Sequence, residues 1–329
     1  MTQFQEAKAT VRAFHDTLET SDPARALADA VTPDYRWRGY HPFYELSGPE
    51  AVAETFWRPL TTSLTSLQRR EDIFFAGLNE IDDFASSWVV SMGHFMGLFD
   101  APWLGIRPTR RMTFLRYAEF NRVEGNRIAE TALYFDIPHL MAQAGQDPFG
   151  PQTAAFMVQP GPRTHDGLLL GPQPEEEGVE TLRAINAMIG DLGTWGLGLP
   201  IEEELARTWD PRMIWWGPHG IGASYTIPRY AEQHASPFRA SMVERSKTRH
   251  IARLAEGCYG GFFGWPNFTT VHTGGFMGMP ASPGRGEMRV IDIYRRQGSK
   301  LVENWVFIDL LHFWKTLGVD ILGRFRSLA

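Results

Sequence analysis

Cys258 is the only cysteine in the chain. No internal disulfide framework can exist, and a reducing compartment is expected. Long apolar runs are also missing, so no segment reaches the length needed to span a bilayer. The opening stretch, MTQFQEAKATVRAFHDTLET, is charged throughout and lacks the apolar centre of a signal peptide. Positive charge is in deficit: 32 Lys and Arg stand against 38 Asp and Glu, a net charge of -6. That balance leaves no basic footprint for nucleic acid. Several motifs are absent too, among them H-E-x-x-H, a Cys-His cluster, a Walker loop and a dinucleotide fingerprint. The glycine pairs Gly274-Gly275 and Gly284-Arg285-Gly286 lack the following helix that phosphate binding requires. These absences lead to the expectation of a soluble, cytoplasmic protein with no metal, no cofactor, no nucleic-acid partner and no membrane partner.

What the chain does have is length and internal repetition. At 329 residues it exceeds one ordinary core, and its 43% hydrophobic and 21% charged composition is that of a globular protein. Ser299 to Gly318, SKLVENWVFIDLLHFWKTLG, reads as a strand running into a helix. Glu303, Trp305, Phe307 and Asp309 alternate and share one strand face. Val302, Asn304, Val306 and Ile308 share the other. Asn126 to Gly145 repeats the pattern, with Glu130, Tyr134, Asp136 and His139 at the places of Glu303, Phe307, Asp309 and His312. WRGYH at Trp37–His41 matches WWGPH at Trp215–His219, and Phe95-Met96-Gly97 resembles Phe276-Met277-Gly278. Landmarks in one order point to an internal duplication. The expected layout is a domain over 1–145, a Pro/Gly-rich linker over 146–178 and a second domain over 179–329.

The order of elements, helix, helix, W-x-G-x-H strand, helix, then antiparallel strands ending in E-x-W-x-x-x-D, resembles the SnoaL-like branch of the nuclear transport factor 2-like superfamily. The resemblance implies an α+β fold: two tandem cone-shaped barrels, each a curved antiparallel sheet closed by helices around a pocket. Relatives include polyketide cyclases, ketosteroid isomerase and scytalone dehydratase-like enzymes, together with many non-catalytic members. In the cyclases an aspartate matching Asp136 and Asp309 is the implied acid/base. Most relatives pair two subunits through the sheet, so the duplication implies an internal pseudo-dimer packed through the faces holding Ala129 to Phe135 and Val302 to Ile308. Further homo-oligomerisation stays open.

On this reading Asp309 is the general acid/base, His312 orients it and His219 assists at the rim. Asp136, His139 and His41 would do the same in the first repeat. A carboxylate at the mouth of an apolar cone loses hydration and its pKa rises, which suits proton transfer beside a carbonyl. Both aspartates equally fit helix N-caps, and the histidines fit positions beside a cap or on a surface loop. Trp215, Trp216, Tyr259, Phe263, Trp265, Trp305, Trp37 and Tyr134 are candidate substrate-binding walls, with core packing as the alternative. Glu130 and Glu303 fit structural ion pairs with nearby arginines. The aromatic richness of GCYGGFFGWPNF favours the second repeat as the working pocket. The expected function is cofactor-free acid/base catalysis, an aldol cyclisation, isomerisation or dehydration, on an apolar carbonyl-containing small molecule. A non-catalytic binding protein or a hydrolase of the same fold remains open.

Overall fold

The computed structural model describes residues 3–194 and 198–328. The chain forms two units. The first holds the residues up to Pro148, Pro160–Pro172 and the stretch from Ile321 onward, and the second holds Phe149–Gln159 and Gln173–Asp320.

In the first unit α1 (Gln3–Thr20) and α2 (Pro23–Ala30) precede β1 (Val31–Gly39) and β2 (Tyr44–Ser47). Helices α3 (Pro49–Val52) and α4 (Arg58–Ser63) flank a π-helical turn, Ala53–Trp57. Then come β3 (Leu64–Leu78), β4 (Ser87–Phe99), β5 (Met112–Glu124), β6 (Arg127–Phe135) and α5 (Ile137–Gln143). The six strands make one sheet in the order β2-β1-β6-β5-β4-β3. Only β1 and β6 pair in parallel. Register shifts in β3 and near Arg122 are bulges, which bend strands and curve the sheet.

The second unit repeats this plan. Helices α6 (Glu175–Thr194) and α7 (Ile201–Leu205) lead to β7 (Trp209–Trp216) and β8 (Ala223–Tyr225). Helices α8 (Ile227–Tyr230) and α9 (Ser236–Ser241) again flank a π-helical turn, Ala231–Ala235. The strands β9 (Met242–Val243), β10 (Ala252–Glu256), β11 (Tyr259–Phe263), β12 (Phe268–His272), β13 (Arg285–Met288), β14 (Val290–Gln297) and β15 (Lys300–Ile308) follow, then α10 (Leu310–Thr316). The last helix, α11 (Ile321–Leu328), belongs to the first unit. Read from β8, the main sheet runs β8-β7-β15-β14-β11-β10, with β7 parallel to β15, and so matches the first unit strand for strand. The second unit differs where β11 stops at Phe263 and β14 starts at Val290. The chain beyond those points forms a separate sheet, β13-β12-β9. A Cβ on Gly264 would lie 2.5 Å from the Arg249 carbonyl oxygen, so only glycine fits at this break. The Asn267 side chain accepts the Val290 amide at 2.7 Å, satisfying a backbone group that the interrupted ladder leaves over.

One expectation changes. Phe95-Met96-Gly97 lies on β4, whereas Phe276–Gly278 is a 3-10 turn, so that tripeptide is not a repeat landmark. The true correspondences are the sheet order and the paired π-turns. Within residues 146–178 the backbone makes ladder contacts. The Phe74 amide donates to Gly167 and the Leu169 amide to Phe74, both at 2.8 Å, so this segment pairs along β3. Ala155 pairs with Ala223 at the edge of the second sheet. Among the described residues no helix is long and apolar enough to cross a membrane.

Candidate functional site

The second unit holds an open cavity of about 150 Å³. Its sheet wall is made by Asn304, Val306 and Ile308 of β15, Val290, Asp292 and Tyr294 of β14, and Phe262 of β11. All lie on one face by the two-residue period. Trp209 and Trp215 continue the wall on β7, and α6, α8, α9 and the π-turn close it with Met188, Tyr230, His234 and Phe238.

The expected face is thereby reversed. Glu303, Trp305, Phe307 and Asp309 lie on the side of β15 away from the cavity. The same parity holds in the first unit, where Phe135 packs on Phe56 of the π-turn with ring centroids 5.0 Å apart. Asp309 and Asp136 are buried helix caps, and each accepts the backbone amide three residues on, His312 or His139, at 3.1 Å. This is the N-cap to N3 bond that satisfies an otherwise orphaned helix donor. His312 bonds Glu287 through Nε2 at 2.9 Å, and burial lowers its pKa. His139 meets Gln143 at 3.3 Å, His41 the Tyr44 hydroxyl at 2.7 Å, and His219 Gln152 at 3.1 Å. None of these six lines the cavity. Of the proposed aromatic walls, Trp215 does. Trp216, Tyr259, Phe263, Trp265 and Trp305 lie elsewhere in the second unit, and Trp37 and Tyr134 are buried in the first. Trp265 carries the Arg289 guanidinium 3.7 Å above its ring. Glu130 is held by Arg38, a buried ion pair.

The residue missed is Asp292. Across the β14–β15 ladder it faces Val306, and Tyr294 faces Asn304. Asn304 donates through Nδ2 to Asp292 Oδ1 at 3.1 Å, and Tyr294 also hydrogen-bonds the carboxyl. Burial pushes the Asp292 pKa up to about 7, with the two hydrogen bonds pulling partly back. Tyr230 and Tyr294 are held as neutral phenols, because burial and the Asp292 charge raise both. His234 is neutral as well: burial lowers its pKa to about 3. It stacks on Trp215 at 4.1 Å, and its Nδ1 is buried without a partner among the described residues. His250 lies flat on Phe262 at 4.0 Å and accepts from Arg253, with burial and the Arg253 charge holding it at about 3. Among the described residues no group of three or more His, Cys, Asp or Glu side chains is placed to hold a metal.

The first unit shows what a closed version of this site looks like. Glu119 faces Leu133 on the β5–β6 ladder, the place of Asp292 opposite Val306. Arg69 and His15 each meet Glu119 at 2.8 Å. Burial alone would raise its pKa, but these partners hold it at about 2. Phe56 occupies the π-turn position of His234 and packs with Trp37, Phe43 and Phe135. One repeat therefore fixes its interior carboxylate as a permanent anion, and the other leaves it near neutrality beside an open cavity.

Residues 11–131 match the SnoaL-like domain family model. No curated protein matches the chain. Among solved structures, a protein from Jannaschia sp. CCS1 designated a SnoaL-like polyketide cyclase is 18% identical; the match covers 46% of this chain and 97% of that one, with a TM-score of 0.37. AclR from Streptomyces galilaeus, designated a hydroxylase, is 14% identical over 45% of this chain and 91% of its own, with a TM-score of 0.38. A nuclear transport factor 2-like protein from Burkholderia thailandensis E264 is 18% identical over 44% of this chain and 99% of its own, with a TM-score of 0.34. The family match thus lies within the first unit, and the second unit repeats the same strand order in a tandem α+β arrangement.

Proposed function

We propose that the cavity of the second unit is the active site of a small-molecule enzyme, in which Asp292 takes a proton from carbon beside a substrate carbonyl and returns it elsewhere. The observation that carries this reading is a half-buried carboxyl on the wall of a largely apolar cavity, hydrogen-bonded by Asn304 and with its pKa raised to about 7. A base titrating near the working pH is half available and strong enough to act on an activated C–H bond. The charge that develops on the substrate oxygen needs donors already in place. Tyr230 and Tyr294 supply phenols in the same cavity, and His234 supplies a buried imidazole nitrogen. Asn304 keeps the carboxylate oriented through its 3.1 Å bond. Isomerisation, dehydration and intramolecular aldol closure all use this set of groups. The SnoaL-like first unit and the polyketide cyclase designation of one similar structure fit an aldol-type cyclisation of an apolar, carbonyl-bearing substrate.

The direct test uses 5-nitrobenzisoxazole, whose ring opens once a desolvated base removes its carbon-bound proton. Turnover should rise with pH through about 7, following Asp292 ionisation. Asp292→Asn should lower it about 100-fold or more, the scale of general-base catalysis. A pH-independent rate, or a rate unchanged in Asp292→Asn, refutes the assignment.

A further inference from the structure

A cavity built only for an apolar ketone has no need of guanidinium groups, yet Arg239 and Arg245 both form part of this wall. Arg239, on α9, is gripped by Glu204 through Nη2 at 2.5 Å and Nη1 at 3.2 Å. Glu204 is only 2% exposed, so this pair fixes the Arg239 head in place. Arg245 is held differently. Its guanidinium lies 4.3 Å over the Phe268 ring, and Nη1 reaches the Leu192 carbonyl, in the last turn of α6, at 3.5 Å. Burial and the like charge of Arg239 lower its pKa to about 10, which leaves it a cation at neutral pH.

The charged side chains of the wall are therefore two cations and one carboxyl, and that carboxyl is near half-ionised at neutral pH. Asp292 stands on β14, whereas Arg239 is on α9 and Arg245 follows β9. Arg239 acts on Tyr230, and Tyr230 in turn feels Asp292. The wall thus carries an acid/base carboxyl on a sheet strand and two cations on α9 and the segment after β9.

We propose that the substrate is an organic acid: an apolar body with an enolisable carbonyl at the Asp292 end and a carboxylate at the Arg239–Arg245 end. This rests on the reading of Asp292 as the acid/base and adds the substrate class to it. A carboxylate is the complement of desolvated guanidinium donors, which bind it through charge-assisted hydrogen bonds. Anchoring a remote carboxylate fixes which carbon approaches Asp292, so the cationic end sets regiochemistry as well as affinity.

The test compares 6-acetyl-2-naphthoate with its methyl ester, planar probes that share the ketone and differ only at the acid end. Binding is read by quenching of cavity tryptophan fluorescence, with Trp209 and Trp215 in the wall. The acid should bind about 10-fold or more tightly than the ester, the scale of one charge-assisted contact. Salt should weaken the acid and not the ester. Arg245→Met, which keeps the apolar stem, should weaken the acid about 10-fold and leave the ester unchanged. Arg245→Lys, which keeps the charge, should retain part of the preference and covers the case in which the Met variant fails to fold. Equal binding of acid and ester, equal weakening of both in Arg245→Met, or no binding of either probe at millimolar concentration overturns the proposal. Asp292→Asn should lower benzisoxazole turnover about 100-fold or more and leave the acid-to-ester ratio intact. Loss of turnover with no acid preference refutes only the substrate class. An acid preference with turnover unaffected by Asp292→Asn refutes the acid/base reading.

Discussion

Replacing Asp292 by Asn should make the second unit more stable, and by an amount that depends on pH. The carboxyl has an ordinary pKa of 3.8 when unfolded and about 7 when folded. Between those values the folded chain retains a proton that the unfolded chain has released, so raising the pH through this window removes stability. The gap from 3.8 to about 7, at 1.36 kcal/mol per pH unit, is about 4 kcal/mol. Below pH 3.8 the contribution is fully present; above about 7 it is lost. Asparagine does not titrate, and its amide oxygen can keep the bond from Asn304. Wild type and Asp292→Asn should therefore agree to within about 1 kcal/mol at pH 4 and differ by about 4 kcal/mol at pH 8, with the variant more stable. The measurement is a urea series at each pH, read by hydrogen exchange in peptides from β14 and β15 so that the second unit is followed by itself. A stability difference that stays flat across pH refutes the raised pKa, and with it the physical basis for acid/base chemistry at this residue.

The matching carboxylate of the first unit should behave in the opposite way. Glu119→Gln removes the carboxylate paired with buried Arg69 at 2.8 Å and should destabilise that unit by ~3–5 kcal/mol, while benzisoxazole turnover stays intact. Its lowered pKa makes its contribution present above the ordinary value of 4.5 and lost as pH falls through about 2, so acid unfolding should differ between wild type and variant. His234→Phe installs the residue that Phe56 represents in the first unit and removes a buried nitrogen without a partner; a stability gain of about 1–2 kcal/mol is expected in thermal unfolding, together with weaker binding of the ketone probes. Asp309→Ala deletes a helix cap and should cost about 1 kcal/mol without changing turnover; a loss of turnover out of proportion to stability would return Asp309 to the mechanism.

The two units show how one strand order supports different interiors. In the first, Glu119, Arg69, His15 and a cluster of Phe and Trp rings satisfy one another. In the second, breaks after Phe263 and before Val290 separate the sheet ends, and the space holds groups that an ordinary core would avoid. A near-neutral aspartate and an orphaned imidazole nitrogen both cost stability, as expected where activity sets the composition.

The amino-acid sequence alone determined the duplication, the strand-to-helix units ending in Asp136 and Asp309, and the α+β class. These are local features: alternation, capping and turn chemistry act over a few residues and leave their mark on the order of side chains. Even the capping role was legible, since an aspartate before a helical run is a strong N-cap. Which face of the last strand looks into the cavity was decided only by tertiary structure. Period-two reasoning needs one apolar and one polar face, and β6 and β15 are buried along both. With no contrast between faces, the carboxylate of Asp309 was the one cue, and it pointed to the wrong side. Asp292 itself gave no sign, because a lone aspartate in VIDIYRRQ differs little from a solvated strand residue. Its role comes from Asn304 twelve residues away and from Tyr230 on a helix. Its raised pKa comes from loss of water, a property of the enclosed space and not of any residue.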